Sequence, residues 1–362
     1  MSPELSRASA PSSPPGPTRK AGADARLTLR YGSYLLVRSV KAFFPFLVRT
    51  LRSPTYLIGL AAIVFFAYWG SGSPTSFFAL SLVYASIFIL LALAWDFSSG
   101  LTGYLNFGLP FFFGLGAIAA GYFSWHGNRS VPELLFFSFG LGLAAGLLFS
   151  LPTLRLRGPY FSLLSLLLPL IGADFVIAYW TQLKWPTEGF YGLPFLSTNY
   201  GSDLILLSAV NAVLLTTFFL VRNSHFGLVL RGIRDDEDAL GSEGTYTFPY
   251  KVVAFSLASG IAGFAGASYA MVDTYGGVEA FDFIFILFPI LIVILGGTGE
   301  IAGGVLAGYL VILLYQYLFP VFSELTLIVF SVVAILLILF LPGGVLRPIR
   351  SFLRFMMTGE SG

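Results

Sequence analysis

The chain contains 362 residues, of which 56% are hydrophobic and 10% are charged, and its mean hydropathy is +0.84. Soluble proteins carry about 25% charged residues, so this chain has too little charge to cover a water-soluble particle, and we predict an integral membrane protein. The absence of cysteine excludes a disulfide framework, a thiolate nucleophile and a cysteine metal site. The two histidines, His126 and His225, lie far apart and lack the spacing of a metal-ligand pair on one helix.

The N-terminal segment, residues 1–53, is predicted to be a basic cytoplasmic tail. It holds nine basic residues against two acidic ones. Residues 1–25 are rich in Ser, Pro and Ala and have little apolar surface to bury, as in solvated tails. Residues 30–50 fit either a basic amphipathic helix on the cytoplasmic membrane surface or a disordered basic arm.

Residues 54–346 consist of apolar runs separated by short polar breaks, and we predict that they form the transmembrane domain. Each run is near the length of about 20 residues that crosses a bilayer. In lipid the runs must be helices, because a helix satisfies its backbone N–H and C=O groups internally. The predicted fold is an all-α, polytopic bundle of about ten transmembrane helices. The runs lie at about residues 55–70, 76–95, 107–125, 133–151, 159–180, 203–221, 251–272, 283–298, 302–320 and 325–346.

The distribution of basic residues predicts how this bundle is oriented. If residue 1 is cytoplasmic, ten spans place residues 152–158, residues 222–250 with Lys251 at their edge, and the C-terminal tail, residues 347–362, on the cytoplasmic side. That side then holds 18 of the 20 basic residues, and only Arg129 and Lys184 fall outside it. Cytoplasmic loops of membrane proteins carry an excess of Lys and Arg, so both termini are predicted to be cytoplasmic.

The break at residues 100–108 is rich in glycine. A break at membrane depth costs free energy unless it lines a polar cavity or is buried in protein, and broken helices of transporters often form the substrate site. We therefore predict that Gly103, Asn106 and Gly108 belong to a substrate path. Close helix packing is the alternative. Small-residue faces of that packing kind are predicted at Gly142, Gly146, Gly260, Gly263 and Gly266.

Asp174 is a carboxylate within the fifth apolar run. At mid-bilayer such a group costs roughly 2.5–3.5 kcal/mol on insertion scales, so it usually faces a cavity or a partner. Asp174 is predicted to lie in the substrate path, where it would receive the ammonium group of an amino acid. The alternatives are a neutral side chain or a bond to a neighbouring helix. Asp96, beside Trp95, is expected at a membrane interface where a helix ends.

The longest cytoplasmic connection, residues 222–250, is the most informative polar segment. It contains the charged run Arg231-Gly-Ile-Arg-Asp-Asp-Glu-Asp, with Ile233 and Leu240 as apolar contacts. A helix of this kind outside the membrane is suited to docking into a groove on a soluble partner. By charge pattern alone, a solvated loop is the better interpretation.

Short motifs follow one another in a characteristic order over residues 95–346. The run from Arg231 to Glu237 is followed by Tyr250-Lys-Val-Val-Ala-Phe and then by Ala262-Gly-Phe-Ala-Gly-Ala-Ser-Tyr. Leu156-Arg-Gly-Pro-Tyr-Phe precedes them. The first three motifs resemble R-A-I-R-E-N-E, Y-K-x-x-A-F and A-G-x-A-G-x-x-Y of branched-chain amino acid ABC-transporter permeases. The motif that begins at Leu156 resembles L-R-G-x-Y-F of the same family. The M-type (LivM) subunit is the most similar.

The resemblance implies a subunit of an importer in the cytoplasmic membrane of a prokaryote. In that family two permease chains form the path, usually as a heterodimer, two ATPase subunits bind the cytoplasmic face, and an extracytoplasmic binding protein delivers the solute. The ATPase would then contact a set of charged residues in residues 222–250. These are Arg231, Arg234, Asp235, Asp236 and Glu237.

The sequence also bears on competing functions. It lacks the G-x-x-x-x-G-K-[ST] phosphate loop, so it cannot hydrolyse ATP by that route, and we predict no enzymatic activity, no cofactor and no nucleic-acid partner. The alternative is a stand-alone ion-coupled secondary transporter or a channel. A membrane-embedded enzyme ranks last.

Several positions depart from the family pattern. Asn106 stands for the usual Ser, Leu109 for His and Glu188 for a glycine. These changes leave leucine-like amino acids, amides and urea open as solutes. Gly241 lies within the coupling segment, where a glycine weakens a helix by about 1 kcal/mol relative to Ala, so an early end of the docking helix is expected.

Overall fold

The apolar runs of the sequence form helices in the part of the chain that the structure describes. A computed structural model gives residues 51–127, 129–156, 158–180, 182, 189–322, 325–340 and 344. The choice between a surface helix and a disordered arm for residues 30–50 lies outside the described residues, as does the C-terminal tail.

Within these described residues, each of the ten predicted runs coincides with a helix, and an eleventh helix lies in residues 222–250. The helices are α1 (Pro54–Ser71), α2 (Phe77–Trp95), α3 (Leu109–His126), α4 (Val131–Thr153), α5 (Pro159–Trp180), α6 (Tyr200–Arg222), α7 (His225–Ser242), α8 (Phe248–Val272), α9 (Ile284–Gly296), α10 (Ile301–Phe322) and α11 (Thr326–Phe340). Capping residues mark some of the starts: Ser53 Oγ accepts from Tyr56 N before α1, and Asn199 forms a capping box with Ser202 before α6.

Seven helices of the described ranges are both long and apolar enough to cross a membrane: α1, α2 with the turn that follows it, α4, α5, α6, α8 and α10. Helix α9 is apolar but has 13 residues, and α11 has 15. The chain is therefore a multi-pass helical membrane protein. The count of about ten spans stays a prediction.

Helices α2 and α8 lie at the centre of the bundle. In their most apolar windows 78% of the residues are buried, against 33–39% in the other five spans. Helix α8 packs most extensively against α4 and α3. A Cβ on Gly266 would lie 1.9 Å from the carbonyl oxygen of Phe113, and one on Gly116 would lie 2.0 Å from that of Gly263. The prediction of a small-residue packing face on α8 is confirmed.

An irregular segment joins α2 to α3. Helix α2 continues into a π-helical turn, Asp96–Gly100, and residues 103–108 then run as coil to the start of α3. Such π-helical turns are rare and are frequent at functional sites. This segment holds three of the predicted path residues.

A short ribbon lies at the far end of α8 from α7. Strands β1 (Phe190–Tyr191) and β2 (Tyr275–Gly276) pair antiparallel, with Phe190 opposite Gly276. A 3₁₀ turn, Val278–Phe281, follows β2 and packs against α3 and α5.

Candidate coupling site and substrate path

Helix α7 is the element that carries the predicted coupling residues. It runs from His225 to Ser242 and contains one non-helical residue, Asp236, with φ −162° and ψ 103°. The Asp236 carboxylate accepts hydrogen bonds from the N–H of Asp238 (3.0 Å) and of Ala239 (2.9 Å), so it caps the second half of the helix. The segment is a kinked helix and not a solvated loop, and Gly241 does not end it early.

The apolar side of α7 faces its own chain. Ile233 is 4% exposed and belongs to the hydrophobic core. Leu240 is half-buried, and a Cβ on Gly232 would lie 3.3 Å from its methyl groups. The expectation that Ile233 offers an apolar contact to a partner is therefore wrong, because that side chain already packs within the chain. Charged groups, including the exposed Asp235, form the outer side of α7.

An ion pair between buried Lys251 and partly buried Glu237 ties α7 to α8. Glu237 Oε1 accepts from Lys251 Nζ at 2.7 Å and from Thr247 Oγ1 at 2.6 Å, and its Oε2 accepts from the Tyr104 hydroxyl. Lys251 is 5% exposed and also donates to the carbonyl oxygen of Leu154 at 3.4 Å. We call Glu237, Lys251, Tyr104 and Thr247 the Glu237 clamp.

The electrostatics of this clamp favour the charged carboxylate. Burial alone would raise the pKa of Glu237, because desolvation disfavours the ion. Hydrogen bonds from Lys251, Thr247 and Tyr104 outweigh this effect and hold the pKa of Glu237 below its ordinary value. Lys251 Nζ also lies 4.5 Å from the centre of the Tyr104 ring, within the range of a cation–π contact. The carboxylate of Glu237 is therefore ionised near neutral pH.

A second contact ties α7 to the end of α2. Arg234 Nη1 donates to the carbonyl oxygen of Gly100 at 2.8 Å. Gly100 ends the π-helical turn, and Asp96, which begins that turn, accepts from the N–H of Gly299 at 2.7 Å. Asp96 is 3% exposed, and α2 continues past it as the π-helical turn. The expectation that Asp96 lies at a membrane interface where a helix ends is therefore wrong, because its carboxylate lies within the protein. Arg234 thus contacts the segment that leads into the predicted path.

Arg231 and Arg222 form polar contacts near the start of α7. Arg231 donates from Nη2 to the carbonyl oxygen of Arg222 and from Nε to that of Gly227, both at 3.3 Å. Arg222 forms an ion pair with Glu300 at 3.3 Å. Of the five predicted coupling residues, Arg231, Arg234 and Glu237 therefore contact other parts of the chain and Asp236 caps the second half of α7, while Asp235 lies on the exposed side.

Asn106 is buried in the coil that joins α2 to α3. It is 1% exposed. Its Oδ1 accepts from the N–H of Gly108 at 2.8 Å, and its carbonyl oxygen accepts from Trp95 Nε1 at 2.9 Å. Its Nδ2 is buried and has no hydrogen-bond partner among the described residues. A Cβ on Gly108 would lie 3.0 Å from the carbonyl oxygen of Ser165, so this glycine permits a close approach of α5.

The four predicted path residues do not form one cluster. Gly103, Asn106 and Gly108 lie together, and Gly103 has a φ of 76°, which favours glycine. A Cβ on Gly103 would lie 3.2 Å from Arg234 Cγ, which places this residue beside α7. Asp174 lies instead on an exposed face of α5, well along that helix.

A cavity of about 590 Å³ opens between the coil, α5 and α7. Gly103 and Leu105 line one side, Ser162 and Leu163 another, and Arg234 and Glu237 the third. The first predicted path residue and the coupling helix therefore share one cavity.

Sequence reasoning missed Tyr104, Lys251 and Asp96 as members of the site. Tyr104 and Lys251 are 147 residues apart, and only the fold shows that they meet. One signal was available: a lysine at the start of an apolar run needs a partner, and Glu237 is a carboxylate in the charged segment before it.

These features define a multi-pass helical membrane protein in which α7, a helix outside the seven candidate spans, is tied by side chains to the two central helices. Residues 77–341 match the family described as branched-chain amino acid transport system / permease component. The chain belongs to this family, which is a family of transport permeases and not of enzymes. The resemblance drawn from the motifs is confirmed.

Three curated relatives are similar to this chain. The high-affinity branched-chain amino acid transport system permease protein LivM of Escherichia coli (strain K12) is 26% identical over 76% of this chain and 71% of the relative. The protein of the same name from Salmonella typhimurium is 27% identical over the same shares. The probable branched-chain amino acid transport permease protein LivM of Methanocaldococcus jannaschii is 24% identical over 57% of this chain and 65% of its own length. No solved structure matches the chain.

Proposed function

We propose that this chain is the permease subunit of an ABC importer for branched-chain amino acids or related small polar solutes. The observation that carries the proposal is the attachment of α7. Its outer side presents charges to a partner, while Arg234 and the Glu237 clamp fix it to α2 and α8. The family match and the names of the relatives support the same function.

The attachment suggests how ATP hydrolysis on a partner moves the membrane domain. A soluble ATPase would bind α7 through Asp235, Asp236 and neighbouring charged side chains. A displacement of α7 would then pull on Gly100 through Arg234 and on the start of α8 through Lys251. Because α2 and α8 are the most buried spans, and packed cores transmit strain rather than absorb it, the displacement reaches the path.

The remaining partners follow from the family. A second permease chain, different from this one, completes the pore, and an extracytoplasmic binding protein delivers the solute. We place both termini and α7 on the cytoplasmic side of a prokaryotic inner membrane, with about ten spans. The positive charges of residues 1–53 and 347–362 support this orientation.

The solute path includes Gly103, Asn106, Gly108 and Asp174 in this proposal. The buried and unpartnered Nδ2 of Asn106 supports a polar role for the coil. Uptake assays with leucine, isoleucine, valine, an aliphatic amide and urea assign the solute. We expect the importer to prefer the three amino acids. Strict preference for urea would show that the solute is not an amino acid.

Co-purification tests the function itself. When the full chain is expressed with the other components of its transporter and purified, we expect a soluble ATPase to co-purify with it. We expect Glu237→Lys to weaken that association, because the introduced lysine and Lys251 repel each other. Glu243→Lys is the matched control, since Glu243 is exposed at the end of α7. Solute uptake driven by an ion gradient in liposomes that hold this chain alone would instead show a secondary transporter.

A further inference from the structure

A small internal cavity lies between the coil that follows α2 and the starts of α5 and α8. Its volume is about 10 Å³, which is close to the smallest volume that holds one water molecule. Phe161 of α5 and Phe255 of α8 line its apolar side, and both are buried. We call it the Asn106 cavity. Its polar lining consists of Ser98, Thr102, Tyr104, Asn106 and Lys251.

The backbone of the coil fixes the orientation of the Asn106 amide. Its Oδ1 accepts from the N–H of Gly108 at 2.8 Å. With the amide turned over, Nδ2 would meet that N–H, and two donors do not bond each other. The N–H of Asn106 also donates to Ser99 Oγ at 3.1 Å, so the backbone of the residue is held in place. Nδ2 is therefore the atom through which Asn106 offers a donor to the cavity.

This donor lacks an acceptor within the described residues. Asn106 is 1% exposed, and its Nδ2 forms no hydrogen bond there. Nearly all buried polar groups in folded proteins bond to the protein or to an ordered water. A cation does not suit the cavity, because Nδ2 is a donor and Lys251 lines the same space. A larger anion or an organic molecule exceeds its volume. Water is the ligand that fits.

Three hydroxyl groups on the cavity are able to accept from that water. Thr102 Oγ1 donates to the carbonyl oxygen of Ser98, and Ser98 Oγ donates to a carbonyl of α2 at 3.1 Å. The Tyr104 hydroxyl donates to Glu237. Each hydroxyl thus gives its proton elsewhere and keeps lone pairs for another donor. A water molecule that accepts from Nδ2 can donate both of its protons to this set.

We propose that one buried water molecule bridges Asn106 Nδ2 to the Glu237 clamp and that Asn106 is a positioning residue for coupling. This inference rests on the proposed function. On the far side of Asn106 the bridge continues through Oδ1 to the N–H of Gly108, the residue before α3. Helix α7 is then linked to the start of α3 as well as to α2 and α8.

The bridge gives α7 a second hold on the coil. Arg234 bonds to Gly100 at its beginning, and the water holds Asn106 near its end. The next residue, Phe107, donates from its N–H to Ser165 Oγ of α5 at 3.1 Å, so α5 moves with this part of the coil. Loss of the bridge therefore impairs the coupling of ATP hydrolysis to uptake, and leaves the binding of ATPase and solute intact.

The water itself is tested by cryo-electron microscopy of the assembled wild-type transporter at a resolution that shows ordered water. A density peak is expected about 2.7–3.2 Å from Asn106 Nδ2 and within the same reach of at least one of the three hydroxyl oxygens. Absence of that peak, or a direct bond from Nδ2 to a protein atom, would overturn the proposal. This measurement needs no variant and does not depend on activity.

The link is tested by the ratio of leucine transported to ATP hydrolysed in proteoliposomes that hold the whole importer. Asn106→Leu keeps the branching of the side chain but removes its polar atoms. It is expected to lower the ratio about fivefold, the order of one lost hydrogen bond, with the half-saturating leucine concentration unchanged. Asn106→Ser keeps a hydroxyl that a water molecule can bridge, so it is expected to retain more of the ratio. Equal losses in the two variants would contradict the bridge.

Asn211→Leu is the matched control. Asn211 of α6 is fully buried and donates from Nδ2 to the carbonyl oxygen of Ser86 at 3.0 Å, away from the cavity. This variant is expected to lower the Tm and to leave the transport ratio close to that of the wild type. A raised half-saturating leucine concentration in Asn106→Leu would show direct contact with solute and overturn the positioning role. Failure of ATPase to co-purify with the wild type would contradict the importer, whereas an unchanged ratio in Asn106→Leu would contradict only the link.

Discussion

Helices α8 and α5 each carry one charged side chain, and the two lie in opposite environments. Lys251 on α8 is 5% exposed and bound to Glu237, Tyr104 and Leu154. Asp174 on α5 is exposed on a bare face. A buried charge must be paired within the protein or neutralised by something outside it. The charge of Lys251 therefore links elements of this chain to one another. The charge of Asp174 instead indicates a contact with a group outside this chain.

The largest effect is expected from Lys251→Met. The substitution leaves Glu237 partly buried without its cation, and breaking a buried pair costs roughly 3–5 kcal/mol. We expect the lower end of that range because Tyr104 and Thr247 still donate. A fall in the Tm of the purified transporter and faster proteolysis within residues 222–250 measure it.

The double variant Lys251→Met with Glu237→Gln is the control for that experiment. It removes the unpaired charge, so part of the lost stability is expected to return. A single variant as stable as the wild type would show that the pair does not fix α7.

A smaller effect is expected from Arg234→Ala. It removes a charge-assisted hydrogen bond to the Gly100 carbonyl, which is worth roughly 1.5–3 kcal/mol. We expect ATPase subunits still to bind, basal ATP hydrolysis to persist and solute uptake to fall, because the link from α7 to α2 is lost. Asp235→Asn, on the exposed side of α7, should leave the ratio of uptake to hydrolysis closer to normal.

On the α5 side of the comparison, Asp174→Asn should leave assembly intact and weaken solute uptake about tenfold, which is about 1.4 kcal/mol. The carboxylate would no longer pair with the ammonium group. Initial rates of leucine uptake against concentration measure the change, with Glu133→Gln as the control carboxylate at the start of α4. Uptake unaffected by Asp174→Asn would remove this residue from the path.

The smallest effect is that of pH on the Glu237 clamp. The folded pKa of Glu237 lies below its ordinary value, so the clamp adds stability above the ordinary Glu pKa of about 4.3 and loses it as pH falls through the lowered value. The Tm difference between the wild type and Glu237→Gln should be constant between about pH 6 and pH 8 and should narrow below about pH 4. A difference that widens in acid would reverse the sign of the shift.

The helices could be predicted from the sequence because lipid leaves an apolar run few other conformations. The predicted run at 251–272 became α8, Phe248–Val272, and the run at 203–221 became α6, Tyr200–Arg222. The kink at Asp236 could not be predicted, since it depends on one carboxylate capping two backbone N–H groups.

The site was less accessible to sequence reasoning than the helices were. The charged run of α7 was found, but its pattern did not show which charges turn inward. Arg234 and Glu237 bind residues of the chain more than 130 positions away, and such contacts follow from the packing of α2, α7 and α8. Asp174 was found because a carboxylate in an apolar run is conspicuous, whereas its exposure is a property of the fold.

A charge exchange tests most directly whether α7 drives α8. We expect Glu237→Lys alone to abolish coupled leucine uptake by the reconstituted importer, because the introduced lysine and Lys251 repel each other. We expect Glu237→Lys together with Lys251→Glu to restore a substantial part of the uptake. Normal uptake in the single variant, or no recovery in the exchanged pair with ATPase still bound, would contradict the account.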